Sequence, residues 1–152
     1  MVVDMIQQIQ KKAYAKINLG LDVLRRRPDG YHEVKMIMQT VNLSDRLTIC
    51  RSPQQGITFA METEGQAVTS LVPVDDTNLV CKAARKLIEK HPIQEGVHFI
   101  LQKNIPVAAG MAGGSTDAAA ALTGMNELFG MQLSVEELQE IAVTIGADVP
   151  YC

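Results

Sequence analysis

A stretch of small residues at positions 105–122 (IPVAAGMAGGSTDAAAAL) constrains the fold of this chain more than any other segment. Gly110, Gly113 and Gly114 leave the backbone uncovered, and the alanine run that follows Ser115 has a high helix propensity. The pattern predicts a tight loop that ends at the start of a helix, where free amides and the helix dipole form a site suited to phosphate groups. The alternative interpretation is a glycine-rich turn that is capped by Ser115 and binds nothing.

The loop differs from two common phosphate-binding motifs. The GxxxxGK[ST] motif requires a lysine that the segment 110–115 lacks, and the glycine spacing does not fit GxGxxG. A hydroxyl on Ser115 or Thr116 is placed to reach a magnesium ion, and a lysine from elsewhere in the chain must neutralise the remaining phosphate charge. A branched side chain at Gly113 would occupy the phosphate position and exclude any positive φ there, so Gly113→Val is expected to abolish ATP binding.

Composition narrows the class of protein. A chain of 152 residues with 47% hydrophobic and 20% charged residues fits one globular domain. The net charge of −3, with one short basic cluster at residues 25–27, argues against nucleic acid as a partner. Cys50, Cys81 and Cys152 form no CxxC pair and are expected to be reduced thiols of a cytoplasmic protein. Residues 1–12 carry no long apolar stretch, so neither a signal peptide nor a membrane span is expected there.

The first part of the chain has the pattern of strands. Residues 15–24 alternate apolar and polar side chains, which predicts a strand with a buried apolar face. Further strands are expected at residues 31–43, 46–50 and 57–62, and residues 27–30 (RPDG) predict a turn. Because the connections between these strands are short, antiparallel pairing is expected.

The second part predicts helices around residues 78–90, 115–129 and 134–145, with a strand at 97–103 between the first two. The order of the elements indicates an α+β fold for one domain spanning residues 1–152. The candidate N-caps, in chain order, are Asp76 or Thr77, then Ser115, then Ser134 in a capping box with Glu137.

Two charged residues near opposite ends of the chain are candidates for phosphoryl-transfer chemistry. Lys16 and Asn18 lie on the same side of the first strand, where they are suited to bind a phosphate and a hydroxyl; the alternative is an exposed strand face. Asp148, in the turn 146–150 (GADVP), is suited to accept a hydroxyl proton; the alternative is a local Asx turn. If Lys16 and Asp148 act together, the fold must bring them within ion-pair distance.

Tyr31 and His32 follow the predicted turn at residues 27–30. An aromatic ring and an imidazole at the start of a strand are suited to stack on a base and to form hydrogen bonds with it. The alternative interpretation is ordinary surface structure beside a turn.

Taken together, these segments resemble the GHMP small-molecule kinases. The AKINL segment followed by RPDGYHE resembles the branch of the family that acts on a diphosphocytidyl methylerythritol in the non-mevalonate isoprenoid pathway. Tyr14 stands where the family usually has Pro, and Thr116 stands where it often has a second Ser. The matching stretches, in family order, are AYAKINLGLDV (13–23), RPDGYHE (27–33), DDTNLV (75–80), IPVAAGMAGGSTDAAAAL (105–122) and GADVP (146–150).

The resemblance implies a ribosomal protein S5 domain 2-like fold and ATP-dependent phosphorylation of the substrate's 2-hydroxyl, with Lys16 and Asp148 as the catalytic pair. It implies ATP and Mg²⁺ as cofactors, with Ser115 as the hydroxyl nearest the metal. The other implied contacts are Asn18, Tyr31 and His32 for the substrate, Asn78 and Leu79 for the adenine, and Pro106, Val107, Ala108, Ala109, Gly110, Met111, Ala112, Gly113, Gly114, Ser115 and Thr116 for the ATP phosphates.

Members of the family are about twice as long as this chain, so the resemblance implies that a second, C-terminal domain is absent. Two alternatives to the kinase hypothesis stay open. One is a nucleotide-binding module without turnover, in which half of the cleft binds ATP but leaves the acceptor unfixed. Positioning of the acceptor can supply roughly 7–11 kcal/mol of a catalysed barrier, so its loss can abolish turnover while binding survives. The other is a different GHMP kinase that acts on a sugar or mevalonate, against which Tyr31 and His32 argue. The sequence does not predict an oligomeric state.

Overall fold

The computed structural model describes residues 7–62 and 72–152; residues 1–6, part of the segment considered above for a signal peptide, lie outside that range. The described elements form one sheet with helices, which confirms the α+β class. They are β1 (Gln8–Arg26), β2 (His32–Ser52), β3 (Ile57–Met61), α1 (Leu79–Lys90), β4 (Gly96–Gln102), α2 (Gly113–Leu128) and α3 (Val135–Ala142).

The sheet has the strand order β1-β2-β4-β3. β1 pairs with β2 in the expected antiparallel direction, and β2 also pairs antiparallel with β4. The antiparallel pairing expected for the strand at residues 57–62 is wrong, because β3 pairs with β4 rather than with β2 and runs parallel to it. α1 lies between β3 and β4 in the chain, as a parallel connection requires. The two strands predicted at residues 31–43 and 46–50 are one continuous strand, β2.

The core lies between the sheet and the helices. α2 packs against β1 and β2, and α1 packs against α2 and β3. Small residues on α2 let this helix approach the sheet closely, so the apolar side chains of the strands pack against it directly. The central buried residues are Leu47 and Ile49 of β2, Val97, Phe99 and Leu101 of β4, and Ala118, Ala121, Leu122 and Met125 of α2.

The observed N-terminal cap of α1 is Asn78, whose side-chain oxygen accepts a hydrogen bond of 2.8 Å from the amide of Val80. The prediction of Asp76 or Thr77 as the cap is therefore wrong. Thr77 instead donates its amide and its hydroxyl to Asp75, which closes a local turn just before the helix.

The other two helix starts differ in how well they were predicted. α2 begins two residues early, at Gly113, and is preceded by Ala112 in a left-handed conformation without a side-chain cap, so the prediction of Ser115 as the cap is wrong. The capping box of Ser134 and Glu137 is confirmed at the start of α3. That helix ends at Ala142, three residues before the predicted end.

Beyond the core, β1 and β2 continue as a two-stranded ribbon in which residues 16–26 pair with residues 32–40. β4 pairs with β2 from Arg46 to Ser52, so in the described part of the chain the ribbon has no third strand. The apolar side chains of the ribbon were expected to be buried, yet Leu19, Leu21 and Val23 are 62%, 52% and 61% exposed. The prediction is wrong because no described layer covers this face.

Candidate functional site

The loop between β4 and α2 leaves a group of backbone amides without partners. From Gly110 to Ser115, the amides donate no hydrogen bond to any group in residues 7–62 and 72–152. Ala108, Gly110 and Ala112 have positive φ values of 59°, 73° and 58°. Left-handed residues interspersed with ordinary ones form backbone nests that bind anions, and here the nest meets the N-terminus of a 16-residue helix. The loop therefore has the free donors that a phosphate group requires.

The structure gives Gly113 a packing role beside the one predicted for it. It is the first residue of α2, and the positive φ values of the loop lie at other residues. A Cβ atom at Gly113 would lie 2.7 Å from Lys103 Nζ and 3.2 Å from Ile105 Cγ2. The missing side chain therefore makes room for the lysine beneath the helix start.

A cavity of about 350 Å³ lies beside the loop. It is bounded by the loop, the start of α1 and the first turn of α2, and its size is within the range of small-molecule sites. All residues predicted to contact the nucleotide line this cavity except Thr116, which lines a neighbouring cavity of about 120 Å³ together with Lys16. The lining residues are Val72, Pro73, Thr77, Asn78, Leu79, Lys103, Asp117 and residues 106–115.

Asn78 and Leu79 form the wall of the cavity opposite the loop. Besides capping α1, the Asn78 amide donates a hydrogen bond of 2.7 Å to the carbonyl oxygen of Pro73, so its two polar atoms both have partners. Leu79 Cδ1 lies 3.3 Å from the position of a Cβ atom at Gly114. Leu79 therefore supplies apolar surface to the cavity, and Asn78 mainly holds the wall in place.

A buried charge cluster, which the sequence analysis missed, lies at the floor of the same cavity. Lys103 Nζ contacts Asp45 Oδ2 and lies 2.9 Å from Asp117 Oδ2. The other oxygen of Asp45 accepts hydrogen bonds from the amides of Asn104 (2.5 Å) and Ile105 (2.7 Å). Asp45 thus holds both the lysine and the chain that leads into the loop.

Asp117 is the group of this cluster with an unsatisfied atom. Its Oδ1 is buried without a hydrogen-bond partner in the described part of the chain. Burial, opposed by Lys103 and assisted by the neighbouring Asp45, raises the pKa of Asp117 to about 8. The signals were present in the sequence, because Lys103 directly precedes the loop and Asp117 interrupts an alanine-rich helix.

Lys16 and Asp148 come together, as expected, on the other side of the loop. Lys16 Nζ lies 3.5 Å from Asp148 Oδ2 and 3.3 Å from Asn18 Oδ1. Lys16 is only 5% exposed, so the alternative of an exposed strand face is wrong. The Asp148 carboxylate is 40% exposed and makes no Asx hydrogen bond within residues 7–62 and 72–152. A lysine that can offset phosphoryl charge therefore lies beside a carboxylate that can accept a proton.

A β-bulge connects this pair to the loop. The ladder between β1 and β2 shifts its register between Tyr14 and Lys16. The amide of Lys16 donates instead to the carbonyl oxygen of Met111 in the loop, at 3.1 Å. The strand that carries Lys16 and the loop with the free amides are thus hydrogen-bonded to each other.

Tyr31 and His32 lie at the far end of the ribbon. Tyr31 is 70% exposed, and His32 pairs with Arg26, ten residues along β1 from Lys16. Ten residues of strand span about 33 Å, less the shortening at the bulges. In the described part of the chain these two side chains are therefore not beside Lys16 and Asp148, and their role in substrate binding stays a prediction.

Comparison with known proteins agrees with this geometry. Residues 78–152 match the GHMP kinases N terminal domain. A 4-diphosphocytidyl-2-C-methyl-D-erythritol kinase of Lachnospira eligens is 49% identical over 97% of this chain, and one of Bacillus velezensis is 49% identical over 95%. A crystal structure of a 4-(cytidine 5'-diphospho)-2C-methyl-D-erythritol kinase superposes on 94% of this chain with a TM-score of 0.76 and 36% identity. The chain belongs to the GHMP kinase family.

This GHMP kinase chain spans about half the length of the curated relatives that it matches, 49% and 48% for the two named above. It likewise covers 48% of the solved kinase structure. No helix in residues 7–62 and 72–152 is long and apolar enough to cross a membrane.

Proposed function

We propose that this chain binds ATP in the cavity beside the loop and takes part in the phosphorylation of the 2-hydroxyl of 4-diphosphocytidyl-2-C-methyl-D-erythritol, in non-mevalonate isoprenoid biosynthesis. In this proposal Lys16 and Asp148 are the catalytic pair, and Asn18, Tyr31 and His32 bind the acceptor. The observation that carries the proposal is the pair of Lys16 and Asp148, 3.5 Å apart, beside a loop with free amides.

The residues present suit a magnesium nucleotide. The free amides of residues 110–115 would hold phosphate oxygens, and the hydroxyl of Ser115, which lines the same cavity, would face the metal. No group of three or more His, Cys, Asp or Glu that could hold a metal ion occurs in the described residues. Mg²⁺ would therefore take most of its ligands from the nucleotide and from water, as it commonly does in kinases. When bound, Mg²⁺ would partly neutralise the negative charge of the phosphate groups.

In this proposal Asp148 and Lys16 have different roles in the reaction. A substrate hydroxyl is a poor nucleophile, and Asp148, which is partly open to solvent, is placed to accept its proton. Lys16 is buried and would offset the charge on the phosphoryl group during transfer. Asn18, which accepts a hydrogen bond from Lys16, would orient the acceptor hydroxyl beside it.

ADP formation by the 152-residue chain tests the proposal. The chain is incubated with Mg-ATP, with and without the diphosphocytidyl substrate, and the binding of ATP is measured separately by calorimetry. The proposal expects ADP only when the substrate is present, and no ADP from a Lys16→Met variant. Failure of the chain to bind ATP would contradict the proposal.

A second candidate is a nucleotide-binding module that does not turn over. It is favoured by the distance of Tyr31 and His32 from Lys16. Under this candidate ATP binds with Mg²⁺ and no ADP forms with any acceptor. Joining the chain to the second half of a relative and repeating the assay separates the two candidates, because turnover of the joined protein would support the kinase reaction over binding alone.

A further inference from the structure

Cys50 and His98 lie on the face of the sheet that points away from the core. Their neighbours in the chain, Ile49 and Phe99, are fully buried in the core. Because successive side chains of a strand point to opposite faces, Cys50 and His98 project from the other side of the sheet. Both are only partly buried. This face, which we call the open face, is therefore accessible to a ligand from solution.

A row of four polar side chains, one from each strand, crosses the open face. Cys50 of β2 pairs with Gln8 of β1 on one side and with His98 of β4 on the other. His98 pairs in turn with Thr58 of β3. The register of the sheet thus brings together a thiol, an imidazole, an amide and a hydroxyl from strands that lie far apart in the sequence.

The imidazole ring of His98 is oriented by Thr58. Its Nδ1 atom lies 2.7 Å from the hydroxyl oxygen of Thr58 on β3. Nδ1 and Nε2 belong to opposite edges of the ring, so this contact turns Nε2 toward β2, the strand that carries Cys50. In the described part of the chain Nε2 has no hydrogen-bond partner. Metal-binding histidines use this arrangement, in which one ring nitrogen is held by a neighbour and the other is free.

Cys50 supplies a sulfur atom next to that nitrogen. Side chains directly opposite each other on antiparallel strands have Cβ atoms about 4.5–5.5 Å apart. A single zinc ion can bridge such a pair, because its bonds to sulfur and to imidazole nitrogen are about 2.3 Å and 2.0 Å long. The thiol donates a weak hydrogen bond to Oε1 of Gln8 at 3.6 Å, so this amide oxygen is a third, weaker ligand within reach. Burial raises the pKa of Cys50, so a metal ion must displace the thiol proton.

We propose that Cys50 Sγ and His98 Nε2 bind a zinc ion on the open face of the sheet, with Gln8 Oε1 and water as the remaining ligands. Thiolate sulfur and imidazole nitrogen are ligands that Zn²⁺ prefers, whereas Mg²⁺ prefers oxygen. On binding, the thiol gives its proton to the solvent and zinc exchanges bound water for the protein ligands, without any change of oxidation state. Groups of three or more His, Cys, Asp or Glu are absent from the described residues, so two strong ligands predict an affinity in the micromolar range.

Zinc binding by the untagged 152-residue chain tests the proposal. Calorimetry with ZnCl₂ in a non-chelating reductant measures the stoichiometry and the dissociation constant. Co²⁺ in place of Zn²⁺ gives a charge-transfer absorption in the near ultraviolet only when a thiolate is a ligand. Cys50→Ser and His98→Asn remove the two strong ligands, and Thr58→Val removes only the hydroxyl that orients the imidazole. Cys152→Ser and His91→Asn are the matched controls, because they remove the same groups from other parts of the molecule.

The original chain should bind one zinc ion, and each ligand variant should weaken this binding by about 100-fold or more. Thr58→Val should weaken it by about tenfold, as loss of an orienting partner commonly does. Both controls should bind zinc as the original chain does, and zinc should raise the midpoint of urea unfolding of the original chain but not of Cys50→Ser.

Absence of zinc binding, or of the cobalt absorption, in the original chain would overturn the proposal even if a variant did not fold. Zinc affinity that survives in a Cys50→Ser protein with the circular dichroism of the original chain, or that is lost in Cys152→Ser, would also overturn it. None of these measurements requires ATP binding, so they are independent of the proposed function.

Discussion

Lys16 is held both by its side chain and by its backbone. Its ammonium group lies between Asp148 and Asn18, and its amide donates to the carbonyl oxygen of Met111. This second contact lies at the β-bulge between Tyr14 and Lys16, where the regular ladder between β1 and β2 is interrupted. The lysine is therefore fixed relative to the loop between β4 and α2 before any ligand arrives.

Lys16 and Asp148 are expected to act as a unit. In a form of the enzyme that turns over, Lys16→Met and Asp148→Asn should each lower kcat by about 10²–10⁴-fold while ATP affinity changes little. The double variant should be little worse than either single variant, because residues that act together give non-additive effects. Steady-state kinetics and calorimetry on the four proteins provide the measurement. Strictly additive losses in the double variant would contradict a joint role.

Gly113 is expected to affect ligand binding more than stability. In Gly113→Ala the new methyl group must displace Lys103 Nζ, which is the end of a flexible side chain, so the charge cluster shifts while the core stays intact. ATP affinity should fall by about tenfold, and the midpoint of urea unfolding should move little. Gly20→Ala is the matched control, because a Cβ atom there meets nothing within 4 Å. An unchanged ATP affinity in Gly113→Ala would contradict the expectation that the space beside Gly113 matters for ATP binding in this cavity.

At the scale of elements, the start of β4 is packed against the turn that follows β2. A Cβ atom at Gly96 would lie 1.9 Å from the carbonyl oxygen of Gln54 and 2.9 Å from that of Gly56. Neither neighbour is a side chain that can turn away, so any substitution must move the backbone. This turn also receives the amide of Val97, which donates to the Gly56 carbonyl oxygen at 2.9 Å.

Gly96→Ala should therefore lower the free energy of unfolding by about 1–3 kcal/mol. Gly20→Ala, in an exposed part of β1, should change it by less than about 0.5 kcal/mol. Equilibrium unfolding in urea, followed by circular dichroism, measures both values. Equal stability of the two variants would show that the turn after β2 yields easily.

The elements differ in how far the sequence could predict them. Residues 134–137 encode their cap locally, so the start of α3 was predicted correctly. The start of α2 was not, because it depends on the left-handed Ala112, a conformation that alanine rarely adopts without tertiary support. The parallel pairing of β3 was missed for a similar reason, since strand direction depends on the path of α1 across the sheet. Long-range contacts, rather than local patterns, decided these cases.

In the candidate site, too, the features encoded by local residues were predicted and those that depend on long-range contacts were not. The loop residues and the pair of Lys16 and Asp148 were predictable because their residue types alone suggest phosphate chemistry. The cluster of Asp45, Lys103 and Asp117 was missed because its members lie up to 72 positions apart in the chain and appear as unrelated charges. Only the fold shows that they share one buried position.

At the scale of the whole molecule, the chain consists of a packed half and a projecting ribbon. The packed half contains the three helices, residues 8–14 of β1, residues 44–52 of β2, and strands β3 and β4. The ribbon of residues 16–26 and 32–40 has two strands with an exposed apolar face. An isolated two-stranded ribbon is only marginally stable in water. Stability should therefore be uneven across the molecule.

Hydrogen exchange should reveal this difference. Amides of the ribbon beyond Gly20 should exchange through local opening, orders of magnitude faster than those of β4 and its partner segment 46–52. Leu47→Ala should speed exchange in the sheet, whereas Leu21→Ala should leave the sheet unaffected. Exchange followed by NMR or mass spectrometry measures both effects. Uniform protection of amides from hydrogen exchange over the whole chain would contradict the expected difference in stability between the ribbon and the packed half.

The continuity of β2 has a mechanical consequence. The strand runs without interruption from the sheet to the tip of the ribbon, so it acts as a lever whose pivot lies near Asp45, where β4 stops pairing. A rotation of about 10° at this pivot moves a tip about 30 Å away by roughly 5 Å. Lys16 lies in the same ribbon near this pivot, so such a rotation chiefly moves His32 relative to Asp148 and the loop at residues 105–112. The span that an acceptor must bridge between the tip and Asp148 is thus set by an angle rather than by a fixed contact.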